Sequence, residues 1–410
     1  MDLGWSAQEE AFREEVRTFL AERLTPELAR AGRLATSVYP DHDASMRWQA
    51  ILAERGWAAP HWAVEHGGTG WTIAQHYIFA TERLVAGAPA LSPMGISMVA
   101  YVIQRFGTPE QQAFFLPRIL SGEIFFCQGY SEPGAGSDLA SLTTAAVVEG
   151  DRLVVNGQKV WTTHATEANW IFALVRTSKE GRPQAGITFV LIDMASPGVE
   201  VRPFTMLSGE QVQNAVFFTD VRVPLANVMG EVDRGWSVAK YLLEFERGGA
   251  AYAPGLKARC DGIAALARDT TGDDGRPLAE DPLFRARLAR LQARADVLEI
   301  TELRLLSASE GASVGALSSM MKVMGTELAG EVTELALEVA GPRGLVFQPH
   351  ATMPGGPAPA HQAPADGYVS GDERHALAAL RYMNERAGPI YAGSNEIQRN
   401  ILAKMVLGLG

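Results

Sequence analysis

The chain has 410 residues, 47% hydrophobic and 20% charged, which suits two or three packed domains rather than a disordered polymer. Its formal net charge of −11 argues against general nucleic-acid binding, because phosphate backbones are held by clustered Lys and Arg. Two cysteines, Cys127 and Cys260, exclude a disulfide framework, and no apolar run approaches the ~18–20 residues that a membrane-spanning helix needs.

In chain order the first elements are helical. Ser6 and Glu9 stand at capping-box spacing, and Phe12, Val16, Phe19 and Leu20 share one helical face. The pattern continues near 45–56, 72–86, 92–106 and 109–120, punctuated by Pro60, Gly67-Gly68, Pro89, Pro93, Gly107 and Pro109. The opening MDLGWSAQEE carries acids where a signal peptide carries bases, so a cytoplasmic location is expected.

From about 125 the texture turns β-like. Short runs at 153–155, 170–175, 187–192, 199–201 and 215–218 lie between turn clusters, with Asn156-Gly157 read as a hairpin turn. A small antiparallel barrel or sandwich is the expected assembly. Helices return near 235–269, 282–312, 314–340 and 372–387 and predict a four-helix bundle. The expected class is therefore mainly α with a central β domain. An N-terminal helical domain would cover 1–124, a middle β-barrel domain 125–233 and a C-terminal bundle 234–410. A Pro/Gly/Ala-rich insertion at 341–371 is too long for an ordinary connection.

Several chemistries have no signature. There is no GxxxxGK[ST] loop, GxSxG elbow, HExxH or CxxC pair, and the eight histidines show no metal-ligand spacing. His61 and His66, beside a Gly-rich turn, read as surface or packing residues, so no metal is expected. Three segments stand out instead. Gln128-Gly129-Tyr130-Ser131-Glu132-Pro133-Gly134-Ala135-Gly136-Ser137-Asp138 is a strand end running into a loop that can bring backbone N–H groups against something flat or anionic. Asn156 to Thr163 places Trp161 and Thr163 two residues apart on one face, although a Trp there alone reads as core. Ile390-Tyr391-Ala392-Gly393-Ser394-Asn395-Glu396 is a turn before a C-terminal helix that Ser394 can cap.

Together, in this order, these segments closely resemble the acyl-CoA dehydrogenase family over about residues 2–408. Phe106-Gly107-Thr108-Pro109-Glu110-Gln111, Val221-Arg222-Val223-Pro224 and the stretch from Gly230 to Trp236 fit as well. Within the family the chain looks closest to the bacterial branch that includes the large subunit of pimeloyl-CoA dehydrogenase. The resemblance implies an FAD-dependent desaturation of an acyl-CoA thioester to the trans-2-enoyl form, with flavin between the β domain and the C-terminal bundle. It implies that Gln128, Tyr130 and Ser131 line the flavin ring, and that Gly136 and Ser137 lie near its phosphates and the acyl-CoA. Trp161 would pack on the flavin and Thr163 bond its polar edge. Ser394 and Glu396 would close over the cofactor, and Ala392 and Gly393 over the substrate carbonyl. Electrons would pass to an electron-transferring flavoprotein or a similar acceptor.

The chain departs from the family pattern in two places. Many members carry the catalytic base in the tail, where this chain has Ala392. Other members take it from the helix that opens the C-terminal domain; that register points to Glu246, followed by Arg247 near the CoA site, with Glu244 as the rival. Residues two apart on a helix point to nearly opposite sides, so only one of the two glutamates can serve. The motifs that complete a neighbour's FAD site in homotetramers are also replaced, by 274–280 and by Glu338-Val339-Ala340-Gly341-Pro342. A glutamate repels a pyrophosphate and a proline lacks the N–H donor. Either a homo-oligomer or an α2β2 heterotetramer with a second acyl-CoA dehydrogenase subunit is compatible with the family, and the replaced motifs favour the second. A non-catalytic partner subunit and a flavin oxidase or monooxygenase on the same fold are the alternatives. The acyl group is not legible; Gly248-Gly249-Ala250-Ala251 would leave room for a long, dicarboxylic or ring-bearing chain, or serve close helix packing.

Overall fold

The computed structural model describes residues 4–36, 41–248, 252–308, 317–352 and 364–409, with the side chains of 244–248 and 306–308 outside the described set. Helices α1 (Ala7–Arg23), α2 (Pro26–Arg33), α3 (His42–Arg55), α4 (Ile73–Ala86), α5 (Ala100–Phe106) and α6 (Pro109–Ser121) build the first part, with a π-helical turn at Met94–Val99 leading into α5. The expected capping box forms: Ser6 Oγ accepts from Glu9 N–H, and Ser6 N–H donates to Glu9 at 2.7 Å. Phe12, Val16, Phe19 and Leu20 are the buried face of α1 and meet Trp48, Leu52 and Trp57.

The middle part is one curled seven-stranded sheet of β1 (Phe126–Gly129), β2 (Ala145–Glu149), β3 (Arg152–Lys159), β4 (Trp170–Arg176), β5 (Ile187–Asp193), β6 (Val199–Phe204) and β7 (Gln213–Pro224). The order is β1-β4-β2-β3-β7-β6, with β5 on the other edge of β4. The expectation of a wholly antiparallel assembly fails at β4, to which both β1 and β2 pair in parallel. The reason lies in burial. Phe172, Leu174, Phe189 and Leu191 face the helices while Ile171, Ala173, Val175, Val190 and Ile192 face the rest of the sheet. Strands covered on both sides read as continuous apolar runs, the pattern of buried parallel pairing.

A second correction concerns Asn156-Gly157. The β2–β3 hairpin turns instead at Gly150-Asp151, and Asn156-Gly157 sits inside β3 where the register to β7 shifts. Gly157 has φ 146°, and a Cβ there would lie 2.7 Å from Thr144 Cα, so this glycine serves a bulge rather than a turn.

The C-terminal part begins with α7 (Gly235–Gly248), wedged between β5, the π-helical turn, α5 and the bundle. Gly235 lets it approach: a Cβ would lie 2.3 Å from Phe189 N. Over the stretch expected as one helix at 235–269 the described residues form α7 and α8 (Tyr252–Asp269), with 249–251 between them outside the described residues and Pro254 in the first turn of α8. With α9 (Pro282–Ala308), α10 (Leu317–Gly344) and α11 (Glu373–Glu385) it forms the four-helix bundle around Leu256, Leu288, Leu298, Leu328 and Val332. Finally α12 (Asn395–Met405) lies along α10. The inserted segment is described only in part, because 353–363 lie outside the described residues.

Candidate active site

The glycine-rich loop after β1 is held by a buried ion pair that the motif alone did not reveal. Glu132 accepts from Lys159 Nζ at 2.8 Å, from Thr143 N at 2.6 Å, from Thr143 Oγ1 at 2.8 Å and from Thr144 N at 2.9 Å. Burial pushes the Glu132 carboxyl up, but Lys159 and the two threonines outweigh it and hold it below the usual carboxylate range. Lys159 also donates to the Tyr130 carbonyl at 3.3 Å, and Val160 N–H to the Ser131 carbonyl at 2.9 Å. The end of β3 therefore carries the loop like a hinge plate.

Beyond this anchor the loop opens outward. Ser137 is exposed, and a Cβ built on Gly134 or Gly136 would meet nothing within 4 Å. Neither residue has left-handed backbone. Packing within the chain thus gives no reason for two glycines here. An approach by something outside the chain does.

Gln128 is half-buried in β1, in register with Phe172. Tyr130 follows directly on β1. Its side chain is buried edge-on against Phe172 and Phe189, with centroids 5.8 and 6.2 Å away, because alternation along the strand turns it to the helical core. Only its main chain remains for a ligand.

Trp161 overturns the core reading. It is 62% exposed, held at φ 60°, and contacts Phe204 edge-to-face at 5.1 Å. Its neighbours fix it from below: Thr162 N–H donates to Asn214 O at 3.0 Å, Asn214 Nδ2 to Thr162 O at 3.0 Å, and His164 N–H to Val212 O at 2.8 Å. Thr163 Oγ1 accepts from Gln213 Nε2 at 2.9 Å, which leaves its hydroxyl hydrogen to donate elsewhere. A large exposed ring on a strained, fully braced backbone is a ready platform.

The tail forms a second braced turn. Ala392 and Gly393 both have left-handed backbone, φ 52° and 77°, and Gln398 Nε2 donates to both carbonyls at 2.8 and 3.2 Å. Ser394 caps α12 as expected, accepting from Ile397 N–H, and Glu396 stands exposed in the first turn. Its carboxyl is held low by its own amide and the Ser394 hydroxyl. Asn395 is tied to α10 by Lys322 Nζ at 2.8 Å. The amides of Ala392, Gly393 and Ser394 have no acceptor among the described residues. Three successive N–H groups at a helix start suit an anionic or carbonyl oxygen.

Glu246 and Arg247 lie on α7, but their side chains, like that of Glu244, fall outside the described residues. Lys159, Glu132, Gln213, Asn214, Lys322 and Gln398 were missed from sequence. A faint signal existed for Lys322, a lone charge inside the apolar stretch Met320-Met321-Lys322-Val323-Met324.

Comparison with known proteins follows the same division of the chain. Family models described as acyl-CoA dehydrogenase N-terminal, middle and C-terminal domain match residues 6–123, 127–221 and 233–407. Acyl-CoA dehydrogenase IpdE1 of Mycobacterium tuberculosis is 37% identical over 408 residues, spanning 98% of this chain and 97% of its own. The chain belongs to the acyl-CoA dehydrogenase family. These enzymes are oxidoreductases acting on the CH–CH bond of acyl-CoA. In fold the acyl-CoA dehydrogenase resembles the ChsE4-ChsE5 complex from Mycobacterium tuberculosis, with TM-score 0.79, 32% identity and both chains fully covered. It resembles the Tcur3481-Tcur3483 steroid ACAD similarly, with TM-score 0.79, 29% identity and full coverage of both.

Among the described residues no helix is long and apolar enough to cross a membrane, and no cluster of three or more His, Cys, Asp or Glu could hold a metal ion. His61 stacks on His76 at 3.8 Å, the geometry of packing rather than chelation. Both cysteines are buried, and burial pushes both thiols up, Cys260 to about 11.

Proposed function

We propose that this acyl-CoA dehydrogenase desaturates a bulky, ring-bearing acyl-CoA thioester at its α,β-bond, using FAD, with Glu246 as the base. The observation that carries the FAD reading is the pairing of two outward features: the exposed, braced Trp161 ring and the glycines at 134 and 136 that packing within the chain does not require. The residues present fit the cofactor. Trp161 would lie on the flavin ring, the Thr163 hydroxyl would donate to its polar edge, and the N–H groups around Gly136 and Ser137 would meet its phosphates. Gln128, Ser131 and the Tyr130 main chain would line it. When bound, FAD supplies the acceptor for the hydride that leaves the β-carbon.

The chain's own groups do the rest. The amides of Ala392, Gly393 and Ser394 bond the thioester oxygen and favour the enolate charge that develops there. Ala392 cannot take a proton, so the α-proton goes to the Glu246 carboxylate on α7. Arg247, next in the sequence, would help shape the CoA site, and Glu396 and Ser394 would close the cofactor side. Closing the tail over the site keeps water from the reactive carbanion. A fused-ring acyl group is in keeping with the Tcur3481-Tcur3483 steroid ACAD that this chain is similar to, and the sequence Gly248-Gly249-Ala250-Ala251 carries little side-chain bulk.

A heteromeric assembly follows from the charge at the two replaced motifs. Arg276 is paired with Asp274 at 2.7 Å and Glu338 with Arg287, and the carboxylates at both positions would repel a neighbour's pyrophosphate. The functional unit is an α2β2 tetramer in which a second acyl-CoA dehydrogenase subunit would complete the FAD site, with an electron-transferring flavoprotein or a similar acceptor as the partner that would take up the electrons. The test is anaerobic titration of the purified protein, alone and with candidate partner subunits, by acyl-CoAs of increasing bulk. Bleaching of the oxidised-flavin band by a ring-bearing acyl-CoA is expected. Tight FAD binding in a homo-oligomer would remove the partner, and failure of every acyl-CoA to bleach a flavin-loaded complex would remove the activity.

A further inference from the structure

Beneath the tail turn lies a charge that stability alone does not call for. Lys322, on α10, is 2% exposed, and among the described residues its ammonium makes no ion pair. Among the described residues its acceptor is the neutral Asn395 Oδ1. Among the described residues the nearby carboxylates do not pair with it: Glu327 pairs with Arg399, and Glu396 is exposed, so both act on the ammonium only across a distance. Asn395 is also the first residue of α12, so the cation sits at the positive end of a helix dipole. Burial, the lack of an ion pair among the described residues and the helix end all disfavour the charge. A methionine would fill the same volume without those costs.

The same lysine is nonetheless woven into the turn. Asn395 returns Nδ2 to Thr326 Oγ1 at 3.2 Å, one turn along α10, and Thr326 Oγ1 donates to the Lys322 carbonyl at 2.8 Å. Asn395 N–H holds Pro389 O at 2.8 Å, and Gln398, fully buried, holds Ala392 and Gly393 from the other side. The turn that presents three amides outward is thus gripped from behind by Lys322 and Gln398. Helix α10 also touches α7, so Lys322 stands on the element that joins the base-bearing helix to the tail. Burial brings the ammonium down to about 8, with Glu396 and Glu327 pulling it partly back, which keeps it largely charged at neutral pH.

The geometry points to Lys322 as a positioning residue of the active site: through Asn395 it fixes the Ala392–Ser394 amides and places a positive charge behind them, where a thioester oxygen gains negative charge. This rests on the acyl-CoA reading above. Lys322 acts through Asn395 and not on a reacting atom.

The test compares Lys322→Met, Asn395→Ala, the double variant and Lys322→Arg in the flavin-loaded complex with the partner subunit, using the substrate that bleaches the parent complex. Lys322→Met and Asn395→Ala are each expected to lower kcat at least tenfold with KM within threefold and FAD content unchanged. The double variant should be no slower than the slower single one, since both remove one coupled device. Lys322→Arg should recover at least a third of the rate. A kcat within twofold of the parent in Lys322→Met overturns the proposal, as does a loss that merely follows lost FAD or a lowered melting temperature. Amide hydrogen exchange over residues 390–398 gives a readout without substrate: Lys322→Met should speed it at least tenfold, and unchanged protection overturns the bracket even if no acyl-CoA is turned over. Absence of turnover in the parent itself would count against the acyl-CoA reading alone.

Discussion

Replacing Gly136 with Ala separates a glycine kept for the fold from one kept for a ligand. The added methyl meets no atom of the chain within 4 Å, and the backbone there is not left-handed. The folded protein should therefore be unharmed or gain about 0.4–1 kcal/mol from a less flexible unfolded state. In a chain of this size that moves the melting temperature by no more than about 2–4 °C. Binding should respond differently. If N–H groups of this loop approach phosphate oxygens, forcing the loop away costs one charge-assisted hydrogen bond, about 1.5–3 kcal/mol, or roughly 10- to 150-fold in affinity. Gly157→Ala is the converse control. Its Cβ would strike Thr144 Cα at 2.7 Å with φ 146°, so it should lower the melting temperature by the equivalent of about 1–3 kcal/mol. FAD retention on gel filtration and calorimetric melting, read on both variants, decide the matter. A Gly136→Ala protein that keeps FAD and the parent KM refutes the assignment of the loop's open side.

Glu246→Gln should bind FAD normally and fail to bleach on adding acyl-CoA; near-parent turnover would sink the base assignment. Glu132→Gln should strand the Lys159 ammonium in the interior at a cost of about 3–5 kcal/mol and release the glycine loop, seen as lowered melting together with lost FAD. Lys159→Met should be milder, because Glu132 keeps the donors of Thr143 and Thr144. Glu302 gives a pH test. It is buried on α9 and accepts from the first amides of α8, Tyr252 and Ala253, at 2.7 and 3.1 Å. Burial raises its carboxyl from 4.5 to about 7, with Glu299 adding to the rise and the two amides opposing it. The folded state then holds a proton that the unfolded chain has lost between these values. This group's contribution is full below pH 4.5 and falls away as pH rises to 7, by about 3 kcal/mol. Glu302→Gln should gain stability relative to the parent between pH 5 and 7.5, and an equal melting difference at both pH values would contradict the assignment.

The tail shows most clearly where sequence ended and tertiary structure began. Ser394 could be read as a helix cap because capping is local, settled by a side chain and the amides three residues on. So could the Ser6–Glu9 box, the apolar face of α1, and the alternation of helical, β and helical texture, since each needs only the spacing of neighbours along the chain. The order of the three motifs also carried the family. Nothing local said that Trp161 would be exposed. Its outward position depends on Asn214 and Val212 of distant sequence fixing the backbone beneath it. Nothing local turned Asn156-Gly157 from a hairpin into a bulge either, because the partner strand β7 sets that register. Glu132 with Lys159, and Asn395 with Lys322, are separated by 27 and 73 residues. Sequence by itself determined which segments fold and what family they serve. Only the tertiary structure decided which charges are buried, because the environment that makes a lysine costly or useful is assembled from elements far apart in the chain.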